Sequence, residues 1–272
     1  MLENVSFSYP GREEQPSLEN LSTILAPGEF VAVAGHNGAG KSTLCHLLNS
    51  LLLPCSGRVV SCGLDTREKS ALPEIRRRVG LVMQNPDNQI VGPTVEDDVA
   101  FGPENLGLER DEIERRVEDA LEIMRISSMR HREPHLLSLG ERKRLAIAGV
   151  LAMNPDILVS DESTSMLDPP ARRDIMRLFD RLREDRGITV IHSTHRSDEI
   201  LVADRVVLLV GGRLAYDGTT QEFFSSSLPA DRKGLHAPPL YRLARELELR
   251  GFSMPEKPLQ SGEVLECLRA SS

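Results

Sequence analysis

The segment Gly35-His36-Asn37-Gly38-Ala39-Gly40-Lys41-Ser42 constrains this chain more than any other. It follows the apolar run Phe30–Ala34 (FVAVA). It precedes Leu44, Leu47, Leu48, Leu51 and Leu52, which recur at helical spacing. The pattern GxxxxGK[ST] between a strand and a helix predicts a turn whose backbone N–H groups converge on an anion. The N-terminus of the following helix adds positive potential at the same point. Lys41 brings a full charge suited to β- and γ-phosphates, and the Ser42 hydroxyl suits Mg²⁺. The helix is expected from about Lys41 to Leu52, stopped by Pro54 and Gly57.

A second stretch complements this loop. Ile157-Leu158-Val159-Ser160-Asp161-Glu162 reads as a buried strand ending in two carboxylates. Beside a phosphate loop, a strand end is where a Mg²⁺-binding aspartate is expected. Asp161 is the choice for the metal, directly or through water. Glu162 would then face the γ-phosphate and polarise the attacking water. Taken alone, the pair could equally cap a helix.

Short strand patterns at Val59–Val60, Val79–Met83, Ile157–Val159 and Gly187–Ser193 alternate with helical ones at Glu141–Met153 and Ala171–Glu184. That alternation indicates an α/β domain around a largely parallel sheet. Val206–Val210, Gly211–Gly212 and Arg213–Tyr216 read as a hairpin. The charge-rich helical stretch Thr94–Arg130, with Glu109–Arg125 inside it, interrupts the alternation as an inserted subdomain at about 90–150. Its Ile113, Val117, Ala120, Leu121 and Met124 fall on one face. Composition changes near Phe224, where Ser225–Ser227, Pro229, Pro238 and Pro239 mark a linker. Two short helices, Leu240–Leu249 and Ser261–Leu268, would follow. The expected domains are thus 1–223 and a small helical segment, 224–272.

Composition narrows the function. A net charge of -8 disfavours broad nucleic-acid binding. Cys45, Cys55, Cys62 and Cys267 form no CxxC pair or Cys/His ligand spacing, so reduced cytosolic thiols are expected. No apolar stretch approaches the roughly 20 residues of a membrane helix, and no signal peptide is visible at the N-terminus. Any membrane role would come through a partner.

The interval between Lys41 and Asp161 separates the many ATPases that share both motifs. Leu137-Ser138-Leu139-Gly140-Glu141 resembles the LSGGQ signature of ABC ATPases. Gln84, after the strand Val79–Met83, is similar to that family's Q-loop glutamine. Ser165-Met166-Leu167-Asp168 resembles its D-loop, and His195 after GITVIHST resembles its switch histidine. Tyr9 in FSYP is similar to the aromatic that stacks on adenine. The resemblance implies a P-loop NTPase sheet core with an inserted helical subdomain and a C-terminal appendage. It implies ATP and Mg²⁺ as ligands. Tyr9, Gly35, His36, Asn37, Gly38, Ala39, Gly40, Lys41, Ser42 and Thr43 would bind nucleotide, and Ser42, Gln84 and Asp161 the metal. Glu162, His195 and Gln84 would serve hydrolysis. Two cassettes would meet head to tail, with Ser138 and Gly140 facing the partner's γ-phosphate.

A narrower resemblance spans nearly the whole chain. QNPDNQ at Gln84–Gln89, then VGPTVEDDVAFGPENLGL, is similar to ATPases of energy-coupling-factor (ECF) importers, most of all the first of their paired ATPases. PPLYRLARELELRGF resembles that group's dimerisation segment. This implies an importer of vitamins or transition-metal ions, with a membrane T-component, an exchangeable S-component and a second ATPase. The chain would sit at the cytoplasmic face of the cell membrane, peripheral through its partners. Other readings are the ATPase of another ABC class, or a soluble ABC ATPase acting on DNA or the ribosome. Two departures stand out: Leu139 replaces the usual signature glycine, and Glu141 a common glutamine. Leucine is disfavoured at φ > 0 and crowds a close approach to phosphate. A weakened signature is therefore expected. It favours a heterodimer, because only one of two sites would then carry it.

Overall fold

The computed structural model describes residues 1–225, 235–255 and 261–270, without the side chains of Ser261 and Ala270. In chain order the elements are β1 (Leu2–Phe7), β2 (Leu18–Thr23), β3 (Phe30–Ala34), α1 (Lys41–Leu48), β4 (Ser56–Ser61), β5 (Leu64–Asp65), α2 (Leu72–Arg78) and β6 (Val79–Val82). There follow α3 (Val95–Asn105), α4 (Arg110–Ile123), α5 (Leu139–Ala152), β7 (Ile157–Asp161), α6 (Pro169–Arg186), β8 (Thr189–Thr194) and α7 (Ser197–Ile200). The chain then forms β9 (Arg205–Val210), β10 (Arg213–Thr219), α8 (Thr220–Ser225), α9 (Pro239–Leu249) and α10 (Ser261–Ala270).

Two sheets organise the molecule. The larger has the order β10-β9-β3-β8-β7-β6 and is parallel except for β10, which returns antiparallel through the expected hairpin. β3 lies between β8 and β9, and all five of its residues are buried. Its side chains alternate between two cores. Phe30, Ala32 and Ala34 pack with the helical side, whereas Val31 and Val33 pack with α1 and the smaller sheet. A strand covered on both faces reads as a continuous apolar run, which explains FVAVA.

The smaller sheet, β2-β1-β4-β5, is antiparallel; the expected strand at Val59–Val60 lies in its β4, outside the parallel sheet, and β1 and β2 have no counterpart in the sequence reading. Val5, Phe7, Leu18 and Leu21 fill its inner face. α1 ends at Leu48, four residues short of the expected stop. Ser50 adopts φ 59°, and Leu51, although in helical register, is exposed.

The helical insertion is α3, α4 and α5. Val99, Val117, Leu121, Leu145 and Ile147 join the core that reaches Phe30 and Leu158 under the sheet. Of the expected α4 stripe, Val117, Ala120, Leu121 and Met124 are buried, and Ile113 packs partly buried against them. α8 carries Phe223 and Phe224 into the main core, and Phe224 stacks with Tyr241 of α9 at 5.6 Å. The expected 223/224 boundary falls inside α8. The linker residues Ser226, Ser227 and Pro229 lie outside the described residues. Among those described, no helix is long and apolar enough to cross a membrane.

Candidate functional site

The carboxyl ends of β3, β6, β7 and β8 converge, and each is followed by one of the motif residues. Ligands of open α/β sheets bind in this position. The loop after β3 turns into α1 at Gly40, which has φ 100°. A Cβ at Gly40 would lie 2.4 Å from the Ser17 carbonyl oxygen, and one at Gly35 would lie 2.6 Å from that of Leu209. Only glycine fits these two positions. The loop therefore presses its backbone against the carbonyl groups of Ser17 and Leu209.

Lys41 opens α1 and is buried. Its Nζ donates to the Gly35 and His36 carbonyl oxygens at 2.9 and 3.1 Å, and lies 2.9 Å from Glu162 Oε1. One residue on, Ser42 Oγ donates to Asp161 Oδ1 at 2.9 Å. Ser193 Oγ of β8 donates to the same oxygen at 2.7 Å and accepts from the Glu162 backbone N–H at 3.0 Å. Asp161 and Ser193 are cross-strand neighbours in register, so β8 supports the acidic pair from the side.

Glu162 adopts φ 43°, in the left-handed region that non-glycine residues seldom occupy. Such strain persists only where the surroundings enforce it, and it clusters at working sites. Here it turns the carboxylate back toward the loop. Gln84 Nε2 donates to Glu162 Oε2 at 3.3 Å, and His195 Nδ1 lies 3.6 Å from Oε1. Lys41, Ser42, Gln84, Asp161, Glu162 and His195 are thus one constellation. Tyr9 stands half exposed beside it, its hydroxyl 3.3 Å from Thr43 Oγ1 and its ring edge-on to Phe7 at 5.0 Å.

Ser138 and Gly140 lie apart. Among the described residues, no hydrogen bond or ion pair joins either to that cluster. Ser138 caps α5 in a capping box. Its backbone N–H and Oγ both donate to Glu141 Oε2 at 2.7 Å. These bonds hold the Glu141 carboxyl below its ordinary value. Leu139 is the first residue of α5 and is not among the positive-φ residues. The conformational part of the expected Leu139 penalty therefore falls, and only bulk toward a partner remains.

The sequence reading missed Lys143. It is buried, and its Nζ donates to the Gln84 carbonyl oxygen at 3.0 Å and to Ser165 Oγ at 3.5 Å. Desolvation lowers its pKa to about 8, against the opposing pull of Glu199 and Glu162. Its only local signal is a position four residues after Leu139, among basic neighbours. Ser193 was missed as well, since a serine within a strand carries no motif.

The oxygen-rich set of Ser42, Asp161 and Gln84 has the hard donors that Mg²⁺ takes. The glycine-bounded loop and Lys41 have the form of a cradle for an anion. The ABC transporter family profile matches residues 18–165. The chain belongs to the ABC transporter family. The ECF transporter ATP-binding protein EcfA1 of Symbiobacterium thermophilum is 48% identical over 98% of this chain and 95% of its own length. That of Clostridioides difficile is 44% identical over 96% and 95%. Among solved structures, cbiO1 of Clostridium perfringens, part of the ABC transporter complex cbiONQ, superposes with a TM-score of 0.77. It shares 34% identity and covers 92% of this chain and 94% of its own. The dimeric ATP-binding cassette MJ0796 bound to ADP and phosphate gives 0.74 at 30% identity, over 80% of this chain and 97% of its own. This ABC ATPase has the P-loop NTPase fold, binds ATP and couples its hydrolysis to transport.

Proposed function

We propose that this chain energises an ECF-type importer of vitamins or transition-metal ions from the cytoplasmic face of the cell membrane. Its partners would be a second, different ATPase, a membrane T-component and a substrate-binding S-component. The names of its relatives and the match over 92% of this chain to cbiO1 of a cbiONQ complex support this reading. The 224–272 segment would serve dimerisation. Its α9 is amphipathic, burying Tyr241 and Ala244 while leaving Leu243 and Leu249 exposed.

The observation that carries the chemistry is Glu162 at the end of β7, 2.9 Å from Lys41 and 3.6 Å from His195. Tyr9 would stack on adenine, and residues 35–43 would enclose the phosphates. Ser42, Asp161 and Gln84 would hold Mg²⁺, which when bound would neutralise charge on the β- and γ-phosphates. With ATP present, Lys41 would leave Glu162 for the phosphate oxygens. Glu162 would then accept a hydrogen bond from the attacking water and aim its oxygen at the γ-phosphorus. His195 would steady the γ-phosphate while the bond to the bridging oxygen breaks and ADP leaves. Ser138 and Gly140 would face the γ-phosphate held by the partner cassette.

Purification of the tagged chain from its native membranes in mild detergent, with mass spectrometry of the companions, tests the assembly. A second cassette with a T-component and small S-components is expected. An unrelated membrane subunit alone would overturn the ECF, heterodimer and import readings together.

A further inference from the structure

Behind the site lies a buried polar cluster that none of the motif residues accounts for. Glu199 of α7 is 2% exposed. Its Oε1 accepts from Thr164 Oγ1 at 2.8 Å, and its Oε2 accepts from Thr194 Oγ1. His192 Nε2 lies 3.1 Å from Oε2. A carboxylate only accepts, so Nε2 carries the hydrogen. On its other side, the fully buried His192 ring sets Nδ1 2.9 Å from Ser160 Oγ, itself 2.6 Å from Ser163 Oγ. Arg172, nearly buried, approaches Oε1 to 3.6 Å and donates to the Leu167 carbonyl oxygen at 3.4 Å. Among the described residues, the further charge facing the carboxylate is Arg196, at 3.9 Å, with the Lys143 field beyond it.

The connections have a direction. Ser160 directly precedes Asp161, Ser163 and Thr164 directly follow Glu162, and Thr194 directly precedes His195. Leu167, reached through Arg172, belongs to the turn that opens α6. One carboxylate therefore fastens both chain segments that flank the strained Glu162. A buried charge that is fully hydrogen-bonded permits few alternative arrangements of its donors.

We infer that Glu199 is a positioning residue for hydrolysis, holding the Ser163–Asp168 turn and the Thr194–His195 loop in one fixed relation. It rests on the proposed roles of Glu162 and His195, which Glu199 reaches through Thr164, Thr194 and His192. Small displacements of reacting groups cost large factors in rate while leaving ground-state binding nearly intact.

The test measures ATPase kinetics and thermal unfolding of the assembled transporter carrying Glu199→Gln, Thr164→Val, both together, or His195→Ala. Glu199→Gln should lower kcat about tenfold with KM for ATP within about twofold. Thr164→Val should lower kcat in the same sense, and the double variant should fall no further than Glu199→Gln. If Glu199→Gln does not fold, Thr164→Val decides by its kcat alone. Wild-type kcat in the folded variants, or losses that multiply in the double, overturns the inference. His195→Ala at the wild-type rate would overturn the site reading beneath it. An inactive His195→Ala beside an unaffected Glu199→Gln would overturn this inference alone.

Discussion

Lys41 Nζ and Glu162 Oε1 are 2.9 Å apart, so the residue expected to grip phosphate is paired with the one expected to activate water. Both are largely buried, and an interior pair of this kind resists loss of either partner. ATP must therefore compete with Glu162 for the lysine. Glu162→Gln removes the competing charge and the repulsion between a carboxylate and the γ-phosphate. Tighter ATP binding, by about tenfold, is expected together with a fall in hydrolysis of about 10²-fold or more. Equilibrium binding of a fluorescent ATP analogue and single-turnover phosphate release check the two halves separately.

Gly40→Ala should destabilise the fold and abolish nucleotide binding. The residue combines φ 100° with a Cβ position 2.4 Å from the Ser17 carbonyl oxygen. Strain in the left-handed region costs about 1–3 kcal/mol, and the clash forces the loop off β2. Gly38→Ala is the control. It shares a positive φ of 79° but meets nothing within 4 Å, so it should lose less stability. Urea midpoints of the two variants give the comparison.

The parts of this protein legible in its sequence are those set by local order. The phosphate loop is contiguous, and FVAVA announces a strand covered on both faces. β1 and β2 went unread because their pattern is broken. Asn4 and Asn20 both take φ 49°, and each backbone N–H is satisfied across the pair by Ser22 Oγ and Ser6 Oγ. α1 was overrun because Leu51 and Leu52 continue the helical period beyond Ser50, where the backbone has already turned. The Glu199 cluster was invisible for a different reason. Thr164 and Glu199 are 35 residues apart, and only the register of β7 against β8 makes them neighbours. Lys143 reads as one more charge on a basic helix start until packing buries it.

The signature can be separated into its two departures. Glu141 places a carboxylate at the α5 N-terminus, bonded to the Ser138 N–H and Oγ where an incoming γ-phosphate is expected. Glu141→Gln should lower KM for ATP of the assembled complex a few-fold, at a stability cost below about 1 kcal/mol. Leu139→Gly should raise steady-state ATPase activity by removing bulk from the face offered to the partner. Since Leu139 is ordinary helical backbone, that gain must come without the relief of any strain in the free chain. Thermal unfolding of the isolated chain should therefore show no stabilisation, and an unchanged ATPase rate in the complex would sink the steric account of Leu139.

Glu199 also predicts how the chain responds to acid. Burial by itself would raise its pKa. The hydrogen bond and charge of His192, with the Thr194 and Thr164 hydroxyls, reverse this and hold it at about 2, against an ordinary 4.5. A carboxylate depressed in the folded state favours folding above its unfolded value, and that contribution disappears as the pH falls through the folded one. Glu199 thus contributes a few kcal/mol at neutral pH, lost between about pH 4.5 and 2. Glu199→Gln should lower the urea midpoint at pH 7 and flatten its decline below pH 4.5. Only below about pH 2 should the variant and the wild type converge, because the native carboxylate is then protonated as well. Parallel curves for the two proteins across that range would mean that the buried charge is not what His192 and the two threonines stabilise.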